Sequence, residues 1–189
     1  KVPLRPFSVY ITSNIKDFNK KSNGPVPEWG IAVAKNRPDR IIMKAPGIAN
    51  ISFTRMKEVL IHELNHIYIF RIPNYETFPS WFKEGMAMRS SNEFSLLHKI
   101  ELSRFIWKKQ TIPLPRLNNI APYSRDMVKL AYGESAAAIE ALEFYYDEDI
   151  LINIIENLRD NQNFEDALDA ATGEKFADFQ VKFELYMEA

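Results

Sequence analysis

Val59-Leu60-Ile61-His62-Glu63-Leu64-Asn65-His66-Ile67-Tyr68-Ile69-Phe70 is the stretch on which the reading of this chain turns. Residues four apart on a helix stack one turn above another, so His62 and His66 present two imidazoles to one point in space. That spacing, His-Glu-x-x-His, suits a divalent metal, with zinc about 2.0–2.1 Å from each nitrogen. Glu63 projects beside the pair, where water activated by the ion would lie, and a carboxylate there suits a general base. Leu60, Ile61, Leu64, Ile67 and Phe70 give the segment a broad apolar surface. It is therefore expected to be a buried helix whose own packing holds its ligands rigidly. Ser52 or Thr54 supplies an N-cap, and the helix should run to Phe70 or Arg71, ahead of Pro73 and Asn74.

A structural zinc site takes four protein ligands, usually Cys or His, whereas a catalytic one takes three and leaves a position open. The chain has no Cys, and its only other His is His98, so the spacing favours a catalytic ion. The third ligand is sought downstream. A metzincin would need Gly and His at the positions held here by Ile69 and Ile72, which excludes that pattern. Glu84 is the leading candidate: seventeen residues separate it from His66, enough for the chain to leave one helix, turn and return alongside. Gly85 next to it would let the second helix approach the first closely. Trp81, Phe82, Met86 and Met88 mark that helix as mostly buried, and a buried carboxylate without a partner is costly. Glu76, in an expected loop, and Glu93, near a helix start, are its rivals. Glu58, one turn before His62, or Asn65 could orient the first imidazole.

Composition bounds the rest. The chain has 189 residues, 46% of them apolar and 13% aromatic, which argues for one globular domain rather than disorder. A net charge of −1 offers no basic field for nucleic acid. No apolar run is long enough to span a membrane, and no basic-then-apolar signal opens the chain. A start at Lys1 rather than Met leads us to expect that something upstream was removed or left out, and leans towards an exported protein.

Taken in order, residues 1–6 read as an extended lead-in, because Pro3 and Pro6 exclude helix. Phe7–Thr12, Trp29–Ala34 and Arg40–Lys44 read as short strands, with Asn36-Arg37-Pro38-Asp39 as a hairpin turn between the last two. Residues 14–23 are polar and ambiguous, Gly24-Pro25 marks a loop, and Pro46-Gly47 ends the sheet region. Helices are expected from Pro79-Ser80 to near Ser90-Ser91-Asn92, from Phe94 to about Lys108, and at about 125–145, 148–160, 164–171 and 174–188. Thr111–Pro115 reads as an extended connector. The expected fold is thus α+β: a small N-terminal sheet lobe with the metal helix, about 1–75, and an all-helical lobe, about 76–189, in a single domain.

His62-Glu63-Leu64-Asn65-His66, followed by Pro79-Ser80-Trp81-Phe82-Lys83-Glu84-Gly85-Met86-Ala87, resembles the peptidase MA-like branch of the gluzincins, related to the thermolysin and zinc-aminopeptidase families. Ala131-Tyr132-Gly133-Glu134-Ser135-Ala136, Asn163–Leu168 and Thr172-Gly173 are similar to the family's later helices. The resemblance covers about residues 29–188. It implies a zincin-like fold, bound Zn2+ on His62, His66 and Glu84, and hydrolysis of a peptide or protein substrate with Glu63 as base. It further implies that Tyr132 hydrogen-bonds the oxyanion, a role a phenol can fill. Bottom-up, Tyr132 is an aromatic on an amphipathic helix, for which packing is the ordinary reason.

Related aminopeptidases read the substrate's amino terminus with a G-x-M-E-N-type segment, and nothing between residues 25 and 50 provides it. An endopeptidase or narrow processing enzyme is therefore expected. Residues 29–34 or 40–44 could take substrate backbone by strand addition. The alternatives are a catalytically silent zincin serving as a binding module and a zinc amidase of another substrate.

Overall fold

The computed structural model describes residues 5–23, 26, 27, 30–120, 124–160 and 163–188. Part of the expected lead-in, the Gly24-Pro25 loop and Trp29 lie outside the described residues. The chain is α+β and forms two compact units, one running to Arg71 and including Ser90–Glu93, the other Ile72–Arg89 and the remainder from Phe94.

The first unit holds the sheet. Strands β1 (Ser8–Thr12), β2 (Ala32–Lys35) and β3 (Arg40–Lys44) lie in the order β1-β3-β2. β2 and β3 form the expected antiparallel hairpin, with Val33 opposite Ile42, whereas β1 runs parallel to β3, with Val9 opposite Ile41. A parallel pair needs a crossover, and α1 (Ile15–Lys21) begins it. The stretch that reads as ambiguous is helical because the Asn14 side chain accepts the Asp17 N–H at 2.8 Å, and because Phe18 gives it one fully buried anchor. Pro46-Gly47 does more than end the sheet: it opens the short α2 (Pro46–Ala49), which Asn50 closes in a left-handed conformation at φ 53°. α3 (Phe53–Phe70) follows, and Ser52, one of the two expected caps, accepts the Arg55 N–H at 3.1 Å. Ile67 packs with Ala34 and Ile41, and Leu60, Leu64 and Phe70 join that cluster, so α3 lies on β2 and β3. At its end Arg71 donates to Asp39 at 2.7 Å and to the Arg5 carbonyl at 2.8 Å.

The second unit is helical: α4 (Ser80–Ser90), α5 (Leu96–Trp107), α6 (Arg125–Tyr145), α7 (Ile150–Asp160), α8 (Phe164–Thr172) and α9 (Phe176–Glu188). Its core is aromatic. Trp81 and Phe82 of α4, both fully buried, meet Phe164 edge-on or tilted at ring-centre distances of 5.5 and 5.0 Å, and Trp81 stacks on Phe179 at 6.2 Å. Burying each such side chain stabilises the unit by about 1.5–3 kcal/mol, and aromatic geometry adds to it. Gly173, at φ +74°, makes the turn out of α8 that favours a residue without a Cβ.

Gly85 is needed for a different neighbour than its position suggests. A Cβ there would run into the Ser135 carbonyl oxygen and sit 2.6 Å from Ile139 Cγ1, so its bare face is taken up by α6 rather than by the metal helix. Both obstructing atoms belong to a packed helix, one of them backbone. Gly85→Ala should therefore destabilise the protein by about 1–3 kcal/mol or more, measured as a shifted midpoint in chemical denaturation at unchanged slope.

The same helix carries Glu134, fully buried. Its two oxygens accept the Ile112 N–H at 2.9 and 3.1 Å, which pins the connector before the 3-10 turn Leu114–Asn118. Burial pushes this carboxyl up to about 8, and the Ile112 N–H only partly offsets it. The folded state thus holds the proton more tightly than the unfolded chain, where the group ionises near 4.5. Stability tied to this group is fully present below that value and is lost as pH rises through about 8. Glu134→Gln should remove that slope: thermal melts across the pH range should show the variant gaining about 1–3 kcal/mol on the wild type between acid and mildly alkaline pH.

Candidate metal centre

α3 delivers His62, Glu63 and His66 from one turn of a helix held by packing. His62 and Glu63 are each only 9% exposed, unusually low for polar groups, and His66 is half-buried. The two imidazole rings lie 4.9 Å apart, nearly edge to face, and His66 stacks on Phe70 one turn on, with ring centres 6.4 Å apart. The apolar stripe predicted from sequence therefore also braces the second histidine.

His62, His66 and Glu84 each offer one ligand atom, and these atoms lie within 4.8 Å of one another, a group that could hold a metal ion. Two imidazole nitrogens and one carboxylate oxygen form a donor set suited to zinc, and three protein ligands leave a position open. Glu76 is exposed on the 3-10 turn Tyr75–Thr77 and is not in this group. His98 is exposed on α5, where its Nδ1 meets the Ser95 hydroxyl at 3.1 Å.

Sequence reasoning offers Glu58 or Asn65 to orient His62 and misses the carboxylate that meets its ring. Glu58 accepts Arg55 Nη1 at 3.0 Å, three residues back on its own helix. Asn65 Oδ1 is buried without a hydrogen-bond partner among the described residues. His62 Nδ1 instead meets Glu93 Oε2 at 2.5 Å. Glu93 is 6% exposed and belongs to the loop between α4 and α5, so this carboxylate arrives from a segment 31 residues away. Arg55 Nη2 reaches its other oxygen at 2.5 Å, and the Ser91 hydroxyl donates to Oε2 at 2.9 Å. Burial alone would raise the Glu93 carboxyl; the His62 hydrogen bond and charge, Arg55 and Ser91 together outweigh it and hold the group at about 2. Glu93 is an anion, and the sequence offered no local signal for its destination beyond being an acid near the expected second ligand helix.

Tyr132 lies on α6, half-buried, one residue before the buried Gly133. Its neighbours on the helix, Ala131, Glu134 and Ser135, are all buried, and Ser135 donates back to the Ala131 carbonyl at 2.6 Å.

These residues can be set beside known families. No curated protein matches the chain. A family model described as the peptidase MA superfamily matches residues 2–189, essentially the entire chain, including both helices that supply the candidate ligands. The match agrees with the resemblance read from the His62–His66 and Pro79–Ala87 motifs, and with the α+β build of a small sheet followed by helices. On this evidence the chain belongs to the peptidase MA superfamily, a family of peptidases with a metallopeptidase-like fold.

Proposed function

We propose that this protein is a zinc-dependent metallopeptidase that cuts within peptide or protein chains. The observation that carries the reading is the group His62, His66 and Glu84, with Glu63 next to the first ligand on a buried helix. The residues fit the ion on chemistry as well as count. Nδ1 of His62 is engaged by a carboxylate, the arrangement that fixes a metal-binding imidazole in one tautomer and orientation.

His62, His66 and Glu84 would hold the zinc. A bound zinc ion supplies Lewis acidity, polarising the scissile carbonyl and favouring ionisation of water. Glu63 accepts the proton of the attacking water on its carboxylate as the new C–O bond forms. It later returns that proton to the amide nitrogen as the C–N bond breaks, so the carboxylate ends as it began. Tyr132 donates its phenolic O–H to the oxyanion in this reading. Glu93, through His62 Nδ1, holds the ring in place rather than touching substrate.

Substrate backbone is assigned to β2. β3 is flanked on both sides by β1 and β2, so residues 40–44 have no free edge, and of the two strands considered from sequence only β2 can accept a new one. The absence of an amino-terminus-reading segment supports internal cleavage.

Glu63→Gln should retain the metal, measured by elemental analysis, while cleavage of a peptide library falls about 100- to 10,000-fold. A chelator should abolish wild-type cleavage and zinc should restore it; cleavage that survives complete metal removal would sink the proposal, and tight peptide binding without cleavage would point to a binding module. Glu93→Ala should weaken zinc retention about 10- to 100-fold in competition with a chelating dye. Unchanged retention would remove Glu93 from the positioning role.

A further inference from the structure

α5 stands out among the helices for what it leaves uncovered. Leu96 is 73% exposed, Ile100 45% and Trp107 82%, although Leu102 on the same helix is buried and α5 packs on α6. At 3.6 residues per turn the three exposed side chains fall within an arc of about 40°, so they form one ridge along the outer face. Single exposed apolar residues need no explanation; three in line on three turns of one helix do.

The ridge is bordered by cations. Arg104 and Lys108 follow along one flank, with Lys109 just past the helix end; all three are exposed and none has an ion-pair partner among the described residues. Lys99 lies on the other flank, where Glu140 accepts its ammonium with both oxygens at 2.9 Å, so it adds little free charge. Glu101 is the one acidic residue of α5.

Three occupants could cover such a ridge, and charge decides among them. A second copy would set Arg104 and Lys108 against their own likenesses, a juxtaposition that costs free energy. A protein partner would need a groove shaped for a protruding helix. An anionic lipid surface needs no shape: it accepts an apolar ridge between headgroups, attracts the adjoining cations, and favours Trp at the interface. Among the described residues no helix is long and apolar enough to cross a membrane. We infer that the outer face of α5 docks the protein on anionic membrane surfaces through Leu96, Ile100 and Trp107, with Arg104, Lys108 and Lys109 supplying the attraction.

The test uses the full chain and vesicles of phosphatidylcholine alone or with about one-third phosphatidylserine. The protein should sediment with the anionic vesicles only, and be released as salt rises from about 0.05 to 0.5 M. Arg104→Glu with Lys108→Glu and Lys109→Glu should lower the partition coefficient at least about 100-fold, since each cation near the surface contributes roughly tenfold or less. Trp107→Ser should weaken binding while leaving its salt dependence. Should these variants misfold by circular dichroism, the wild type decides. In a Trp29→Phe background, acyl-brominated anionic vesicles should quench emission from Trp107, because Trp81 is fully buried. Absence of vesicle binding, binding that ignores the charge reversal, or no quenching would overturn the inference. So would a dimer dissolved by Trp107→Ser, or capture by polyglutamate in place of vesicles.

Discussion

A helix that must be apolar enough to pack on a sheet while keeping an imidazole and a carboxylate out of solvent is the constraint from which this structure follows. α3 satisfies the first demand with Ile67, Leu60, Leu64 and Phe70 on Ala34 and Ile41. The second leaves His62 and Glu63 almost out of solvent, where an unsatisfied polar group is costly. The bond from His62 to Glu93 answers that cost on one nitrogen. It moves the difficulty to Glu93, a buried anion, which Arg55 and Ser91 then satisfy. Arg55 comes from the first turn of the same helix, so α3 provides both the histidine and the counter-charge for the carboxylate that holds it. Ser90–Glu93, which carries two members of this cluster, belongs to the sheet unit.

Elements whose signal is local were readable. α3 is bounded by a serine cap and by Arg71, β3 by its unbroken apolar run, and α6 by Ser124 and a long apolar periodicity, and each begins and ends where the sequence places it. Residues 14–23 read as ambiguous because α1 buries one side chain, Phe18, and one apolar residue cannot set a period. The strand read as Trp29–Ala34 is Ala32–Lys35, since pairing with β3 rather than apolar composition sets its limits. Residues 111–115 read as extended because Pro113 and Pro115 exclude α-helix, yet Pro at the head of a 3-10 turn is compatible with Leu114–Asn118. The grouping of His62, His66 and Glu84 follows from helical spacing and a buried motif, both properties of short stretches. The partners of Gly85 and His62 do not, because they are fixed by how distant segments pack: fifty residues on for Ser135, thirty-one for Glu93.

The sheet shows the economy of the first unit. β3 carries the buried side chains Ile41, Ile42 and Met43, while Val9, Tyr10 and Ile11 of β1 remain exposed. In a parallel pair, opposed residues point to the same face, so Val9 lies beside Ile41 on the face that α3 covers. α3 packs chiefly on β2 and β3. Tyr10, on the other face, has Lys21 of α1 over its ring at 4.9 Å. β1 thus completes the hydrogen bonding of β3 more than it builds core, and the antiparallel β2 is left as the edge nearest the packed side of α3.

Two buried glutamates show how the surroundings, and not the residue type, assign charge. Glu93 and Glu134 are both nearly inaccessible, and burial pushes both carboxyls up. Glu93 has an imidazole, a guanidinium and a hydroxyl around it and is driven to about 2; Glu134 has one backbone N–H and stays near 8. At neutral pH the first is an anion and the second an acid. The distinction suits the places they occupy. A carboxylate held against His62 Nδ1 fixes the ring and raises the basicity of the opposite nitrogen. An uncompensated buried charge on α6 would only weigh against folding. A carboxyl held neutral can instead accept the Ile112 N–H and order the connector without demanding a counter-ion, so the chain spends its arginine where the anion is needed.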